Sequence, residues 1–259
     1  MLEKMMTTTK LYLENIEAAY ETKFSAKVIK SDDESIVLDR TLFYPLGGGQ
    51  NWDEGTLSGP NGPINVLEVR GREDIIHNLG VDHQLEVGDE VIGEIDWERR
   101  YSHMRMHTAQ HLVSGIAYEL FNGVRTVGNQ INTTHSRIDF NPISFDENML
   151  VQLTNKTNEI ISLKYEVTDL TMMRNEINTI MPPERTNMDL IPSFIDELRV
   201  VKIGDSLDLC PCAGTHISNI SEIGEISIIG KKSKGKGTQR ITYELSNGEF
   251  LRERKSKII

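Results

Sequence analysis

Cysteine is almost absent from this chain: Cys210 and Cys212, one residue apart, are the only two. A pair so placed cannot build a disulfide framework and fits a reducing compartment, which leaves metal ligation or thiol reactivity as the use of at least one of them. No run approaches the roughly 18 apolar residues that a membrane span needs, and the N-terminus lacks the apolar core of a signal peptide. A cytoplasmic protein without a membrane partner is expected. The glycine-rich stretch at residues 41–50 has neither the Lys-Ser/Thr ending of a P-loop nor the spacing of a dinucleotide fingerprint, so no nucleotide cofactor is expected. Internal repeats and low-complexity segments are also missing. So is an excess of positive charge: the formal net charge is −11, which taken as a sum argues against a polyanionic partner.

The distribution of that charge changes the argument. From Gly230 onward nine basic residues (Lys231, Lys232, Lys234, Lys236, Arg240, Arg252, Arg254, Lys255, Lys257) stand against three acidic ones (Glu244, Glu249, Glu253), a local charge of +6 on a remainder of −17. Local phosphate binding requires such a basic end, although a solvated tail has the same composition. Gly235 and Gly237, set among the lysines, would let backbone N–H groups approach a phosphate.

At 259 residues, with 38% hydrophobic and 26% charged residues, the chain is long enough for two modest domains. After an amphipathic start (Leu11, Leu13, Ile16, Ala19, Tyr20), short strand-like runs at residues 26–29, 35–38, 64–69 and 91–95 are separated by Asp, Gly, Pro and Asn clusters. Their rhythm predicts a small β-barrel. Residues 97–100 lead into a helix over 101–121, where Met104, Met106, Leu112, Val113, Ile116, Leu120 and Phe121 recur at helical spacing. A second helix is expected behind Ser144-Phe145-Asp146-Glu147, with Met149, Leu150, Leu153, Ile160, Ile161 and Leu163 as its apolar positions. Strands are expected at residues 137–140, 198–203, 225–229 and 240–245. Mixed elements without βαβ alternation indicate an α+β second domain. The boundary falls near residues 96–100, giving a barrel domain over 1–98 and an α+β domain over 99–259.

Two short motifs carry ligand-grade side chains at the same spacing: His107-Thr108-Ala109-Gln110-His111 and Cys212-Ala213-Gly214-Thr215-His216, with 100 residues between His111 and Cys212. On a helix, His107 and His111 share one face about one turn apart. Imidazole nitrogen and thiolate sulfur are zinc donors, and a helix supplying two histidines needs partners from elsewhere in the fold. Cys212 and His216 are the candidates, on a strand end entering a tight loop. His103, at the next position down the same face, remains open as an alternative ligand, as does Cys210.

The third motif is Thr41-Leu42-Phe43-Tyr44-Pro45-Leu46-Gly47-Gly48-Gly49-Gln50. Three successive glycines permit positive φ and close approach to a ligand or partner chain, and on these residues alone a tight barrel turn is the favoured account. In this order, FYPLGGGQ, HTAQH and CAGTH resemble the alanyl-tRNA synthetase editing module and its free-standing relatives, the AlaX proteins, over residues 24–245. The threonyl-tRNA synthetase editing domain is a more distant likeness. The resemblance implies an N-terminal β-barrel followed by an α+β zinc-containing editing domain, one zinc ion per chain on His107, His111, Cys212 and His216, and hydrolysis of mischarged tRNA(Ala) in trans. Because only 40 residues precede the glycine motif, no aminoacylation domain is expected, and the reaction would be independent of ATP. Seryl-tRNA(Ala) is the leading substrate that the resemblance implies, with glycyl-tRNA(Ala) second.

The same likeness places Thr126, Asn129 and Gln130 in a segment lining the editing pocket, with Gln130 favoured; an ordinary polar turn is the alternative. Thr215, beside His216, is a further candidate. Gly47, Gly48, Gly49 and Gln50, together with Lys234, Lys236 and Arg240, are candidate substrate contacts. Ala213 departs from the family's usual glycine and puts the loop geometry in question. A zinc hydrolase of another ester and a non-catalytic tRNA-binding protein with a structural zinc are the competing functions.

Overall fold

Residues 7–81, 83–186, 188, 191–205 and 207–246 are described by a computed structural model. The chain divides into two units, Met1–Ser102 and His103–Ile259.

The first unit contains β1 (Thr9–Lys10), β2 (Lys23–Ser31), β3 (Ser35–Leu38), β4 (Arg40–Thr41), β5 (Gly55–Gly59), β6 (Gly62–Val66), β7 (Glu68–Arg70), β8 (Ile76–Asn78) and β9 (Glu90–Ile95). The amphipathic start forms two short 3₁₀ turns, Leu11–Leu13 and Glu17–Tyr20. Alternation makes the strands: in β2 Phe24, Ala26 and Val28 are buried while Lys23, Ser25 and Lys27 face out, and β9 repeats the pattern with Val91, Gly93 and Ile95 inside. Gly93 lies opposite Phe24, and a Cβ on it would come within 2.2 Å of that ring. The seven-stranded order is β6-β5-β9-β2-β3-β8-β7, and β1 pairs with β4 in parallel. Among the described residues no ladder joins β6 to β7, so the pairings form an open sheet and do not include the closure a barrel requires. The run expected over residues 64–69 is broken at Leu67, whose N–H leaves the β5 side to bond Asn78 O.

The glycine motif is a turn. Gly47 and Gln50 exchange both backbone hydrogen bonds, at 3.2 and 2.9 Å, while Gly48 and Gly49 sit at φ 56° and 84°. Positive φ at both central residues is the type I′ geometry, which glycine adopts without a Cβ penalty. Behind it lies a core of Tyr12, Phe24, Val28, Leu38, Phe43, Leu57 and Val69.

α1 (Trp97–Leu120) begins with Asp96, whose carboxylate accepts from Arg99 N at 3.1 Å, and ends where Asn122 and Gly123 take positive φ. Residues 103–113 are buried at every position, so the helix is a core helix with no wet face there. The second unit continues with β10 (Arg125–Gln130), β11 (Ser136–Asn141), α2 (Glu147–Ser162), β12 (Val167–Met173), α3 (Arg174–Ile180), β13 (Glu197–Ile203), β14 (Asp208–Pro211), β15 (Ile226–Gly235) and β16 (Thr238–Leu245). Its two antiparallel sheets have the orders β10-β11-β16-β15 and β12-β13-β14. Tyr243 on β16 donates to Met106 O of α1 at 2.7 Å, and Arg105 of α1 donates to Glu222 O and Ile223 O. The chain is therefore α+β, with strands predominating and three helices among the described residues. Arg252, Arg254, Lys255, Lys257, Glu249 and Glu253, counted in the basic end, lie outside the described residues.

Candidate metal centre

α1 carries His107 and His111 on one face, and β14 delivers the loop that holds Cys212 and His216. Arg199 of β13 anchors that loop: its guanidinium donates to Cys212 O at 2.7 Å and to Gly214 O at 3.3 Å while paired with Asp169 at 2.8 Å. Ala213 causes no difficulty. The non-glycine residues at positive φ among the described residues are Gln84, Asn122, Lys164 and Lys236, so alanine keeps ordinary backbone here.

The four ligand atoms of His107, His111, Cys212 and His216 lie within 4.8 Å of one another, and His103 and Cys210 are not part of the group. Cys212 Sγ is 3.7 Å from His107 Nε2 and 3.3 Å from His216 Nε2. Zinc bonds of about 2.3 Å to sulfur and 2.0–2.1 Å to nitrogen in a tetrahedron set those atoms about 3.6 Å apart, so the donor set fits the ion in kind and in size.

The ring tautomers follow from the hydrogen bonds. Thr108 Oγ1 has one proton, which it gives to Met104 O at 2.9 Å; its 3.1 Å contact with His216 Nδ1 is therefore accepted from the ring, leaving Nε2 toward Cys212. His111 Nδ1 lies 2.8 Å from Asp208 Oδ2, which likewise leaves its Nε2. A histidine that donates its other N–H to a fixed acceptor is the usual supported metal ligand.

The charges are arranged to match. Burial raises the Cys212 thiol, but His107 and His216, with hydrogen bonds from His107 and His111, hold it well below its ordinary range. Burial and the adjacent His107 keep His216 well below its ordinary value, hence neutral. His111 is opposed by burial but raised to about 10 by Asp208 and Cys212. A buried thiolate among imidazoles is the environment a divalent cation neutralises.

Beside the cluster, polar side chains link α1 to β10. Gln110 Nε2 donates to Ser114 Oγ at 2.9 Å, Thr126 Oγ1 donates to the same oxygen at 2.7 Å, and Asn129 Nδ2 reaches Gln110 Oε1 at 3.3 Å. The segment is a strand and no polar turn, and a β-bulge between Thr126 and Gly128 resets its faces. Asn129 thus stands opposite buried Ile138, and Thr126 opposite buried Phe140, whereas Gln130 stands opposite exposed Arg137. Thr215 is fully buried. Thr108, Gln110, Ser114 and Asp208 escaped the reading of the sequence. Thr108 and Gln110 sit inside the HTAQH motif, a signal that the sequence does carry, whereas Asp208 meets His111 only through the fold.

The basic hairpin β15-β16 turns through Gly235, Lys236 and Gly237, all at positive φ. Lys232, Lys234 and Lys236 are exposed. Arg240 is instead held by Asp139 in a bidentate pair at 2.6 and 2.7 Å, and Lys231 by Glu147 at 2.7 Å.

Comparison with known proteins places these features in a family. Residues 198–242 match the threonyl and alanyl tRNA synthetase second additional domain, and residues 3–99 match the family of class II (A) tRNA synthetases. The alanyl-tRNA editing protein AlaX-M of Saccharolobus solfataricus is 36% identical over 91% of this chain and 98% of its own length. That of Methanosarcina barkeri is 37% identical over 87% and 95%. The alanine–tRNA ligase of Methanococcus vannielii is 32% identical over 89% of this chain, which spans 25% of the ligase. The chain belongs to the AlaX-M family of alanyl-tRNA editing proteins.

Proposed function

We propose that this chain hydrolyses the aminoacyl ester of mischarged tRNA(Ala) in trans, with Ser-tRNA(Ala) as its first substrate and Gly-tRNA(Ala) as its second. The observation that carries the reading is the convergence of two histidines of α1 with Cys212 and His216, in a chain of the AlaX-M family. In this reading residues 1–98 are the family's N-terminal domain, its strands paired as the open sheet described above, and residues 99–259 form the editing domain.

One zinc ion held by His107, His111, Cys212 and His216 would supply a fixed positive charge that polarises the ester and its attacking water. Four protein ligands fill a tetrahedron, so handling of the substrate falls to neighbouring polar groups. Asn129 and Thr126, on the α1 side of β10, are assigned to the serine hydroxyl and the water; Thr215 and Gln130 are assigned supporting contacts. A site that pairs the hydroxyl leaves buried polar atoms unsatisfied when alanine occupies it, and the correct ester is spared on that account. Lys234 and Lys236, and less directly Arg240, serve the phosphates of the acceptor stem. The Gly47–Gln50 turn contributes to substrate choice.

Incubating the zinc-replete chain with Ser-, Gly- and Ala-tRNA(Ala) tests the proposal. Loss of the seryl ester with retention of the alanyl ester is expected. Binding of tRNA without hydrolysis would instead make the protein a binding module with a structural zinc, and equal turnover of an ester lacking tRNA would make it a general zinc hydrolase.

A further inference from the structure

Behind His111 lies an arrangement that the ligand set does not require. Asp208 is buried at the start of β14, with Oδ2 at 2.8 Å from His111 Nδ1 and Oδ1 at 3.8 Å from an Nη atom of Arg185. Arg185 itself is largely buried, donates to Leu207 O, and lies over the Tyr118 ring at 5.4 Å. Both are seated against α1 at Gly115, one turn beyond His111. A Cβ at residue 115 would stand 2.8 Å from Leu207 O and 2.9 Å from Arg185 Nη2. A mid-helix glycine weakens a helix, and here it admits the backbone that carries Asp208.

We propose that Asp208 is the positioning residue of the metal centre: seated by Gly115 and steadied by Arg185, it fixes the tautomer and rotation of His111 so that Nε2 is presented to Cys212 and His216. The inference rests on the metal-site reading above. Its physical basis is that an imidazole has two nitrogens, only one of which can face the ion, and a carboxylate accepting from Nδ1–H also makes Nε2 a better donor. Thr108 does the same for His216 with a neutral hydroxyl, so of these two supported ligands only His111 gains an anionic partner.

Competition of the full chain against a chromophoric chelator for zinc separates the two readings. The wild-type protein is expected to take up one zinc per chain and Cys212→Ala to lose tight binding; a wild-type chain that binds no zinc overturns both the site and this inference. Against that baseline, Asp208→Ala is expected to weaken zinc by about 10- to 100-fold, and Asp208→Asn, which keeps an acceptor oxygen for Nδ1–H, to fall between the two. The cobalt(II) spectrum of Asp208→Ala is expected to shift, while that of Asp208→Asn stays close to wild type. Wild-type zinc affinity in Asp208→Ala overturns the inference and leaves the metal site standing. Should Asp208→Ala fail to fold, Asp208→Asn decides alone: zinc affinity equal to wild type overturns the role of the carboxylate.

Discussion

Arg100 is wholly buried in the first unit, and a guanidinium is tolerable there because its donors meet acceptors: both oxygens of Asp53, Ala19 O and Leu42 O. Asp53 in turn accepts from Tyr44 N at 2.7 Å, which ties the pair to the segment before the glycine turn. Removing the carboxylate alone strands the cation, so Asp53→Ala is expected to destabilise the first unit by about 3–5 kcal/mol. Both tryptophans, Trp52 and Trp97, belong to that unit, and urea unfolding followed by their fluorescence reads the change; a loss under about 1 kcal/mol would refute the dependence. His77 makes a second residue-scale prediction. Burial lowers its pKa to about 4, with Thr41 Oγ1 at 2.9 Å and the Phe43 ring against it. Above pH about 6.5 the ring is neutral folded or unfolded, and its contribution is complete. As the pH falls toward about 4 the unfolded chain takes up the proton first, and stability drops by about 1.4 kcal/mol per pH unit. His77→Gln is expected to flatten that acid slope; an unchanged slope would assign it to other groups.

At the scale of elements, the Gly47–Gln50 turn depends on two consecutive left-handed residues, each costing an L side chain roughly 1–2 kcal/mol. Gly49→Val should therefore destabilise the first unit by at least about that amount, and Gly48→Asn by much less, because asparagine tolerates this region. Equal melting of the two variants would contradict the turn assignment. Elements with a strong period were legible in the sequence. The helix expected over residues 101–121 is α1, the Asp146 start caps α2 by accepting from Met149 N at 2.8 Å, and residues 35–38 form β3 as expected. What periodicity could not supply was register. The Thr126/Gly128 bulge moves Asn129 to the α1 side and puts Gln130 opposite Arg137, an exchange of faces that a single extra residue produces and no local propensity announces. α3 and β12 went unread for a related reason. β12, Val167–Met173, is an edge strand with mostly exposed positions, and Arg174, at the start of α3, is held by carbonyls of residues 188, 191, 192 and 195, contacts that exist only in the folded chain.

For the whole molecule, a net charge of −11 would repel a polyanion at long range, so the tRNA binding proposed above has to be won over short distances at a local positive surface. With a Debye length of about 10 Å at 0.1 M salt, the acidic remainder is largely screened from a phosphate touching the β15-β16 hairpin. The described hairpin sorts its cations into two groups. Arg240 and Lys231 already hold Asp139 and Glu147, and releasing them to a phosphate would leave those carboxylates unpaired. Lys232, Lys234 and Lys236 are exposed on the strand and turn, with Gly235 and Gly237 beside them. Replacing these three lysines together by alanine is expected to weaken tRNA binding about equally for every aminoacyl group and to lower the slope of log K against log salt by on the order of 2–3, one counterion being released for each phosphate contact. Arg240→Ala should change that slope by less, because its charge is already spent on Asp139. Zinc content should stay at the wild-type level in all of these proteins. Fluorescence anisotropy with tRNA(Ala) between about 50 and 200 mM salt measures the slopes. If the triple variant kept the wild-type slope, the electrostatic contact would have to lie on another surface, and the assignment of the hairpin to the acceptor stem would fail even with the hydrolytic activity intact.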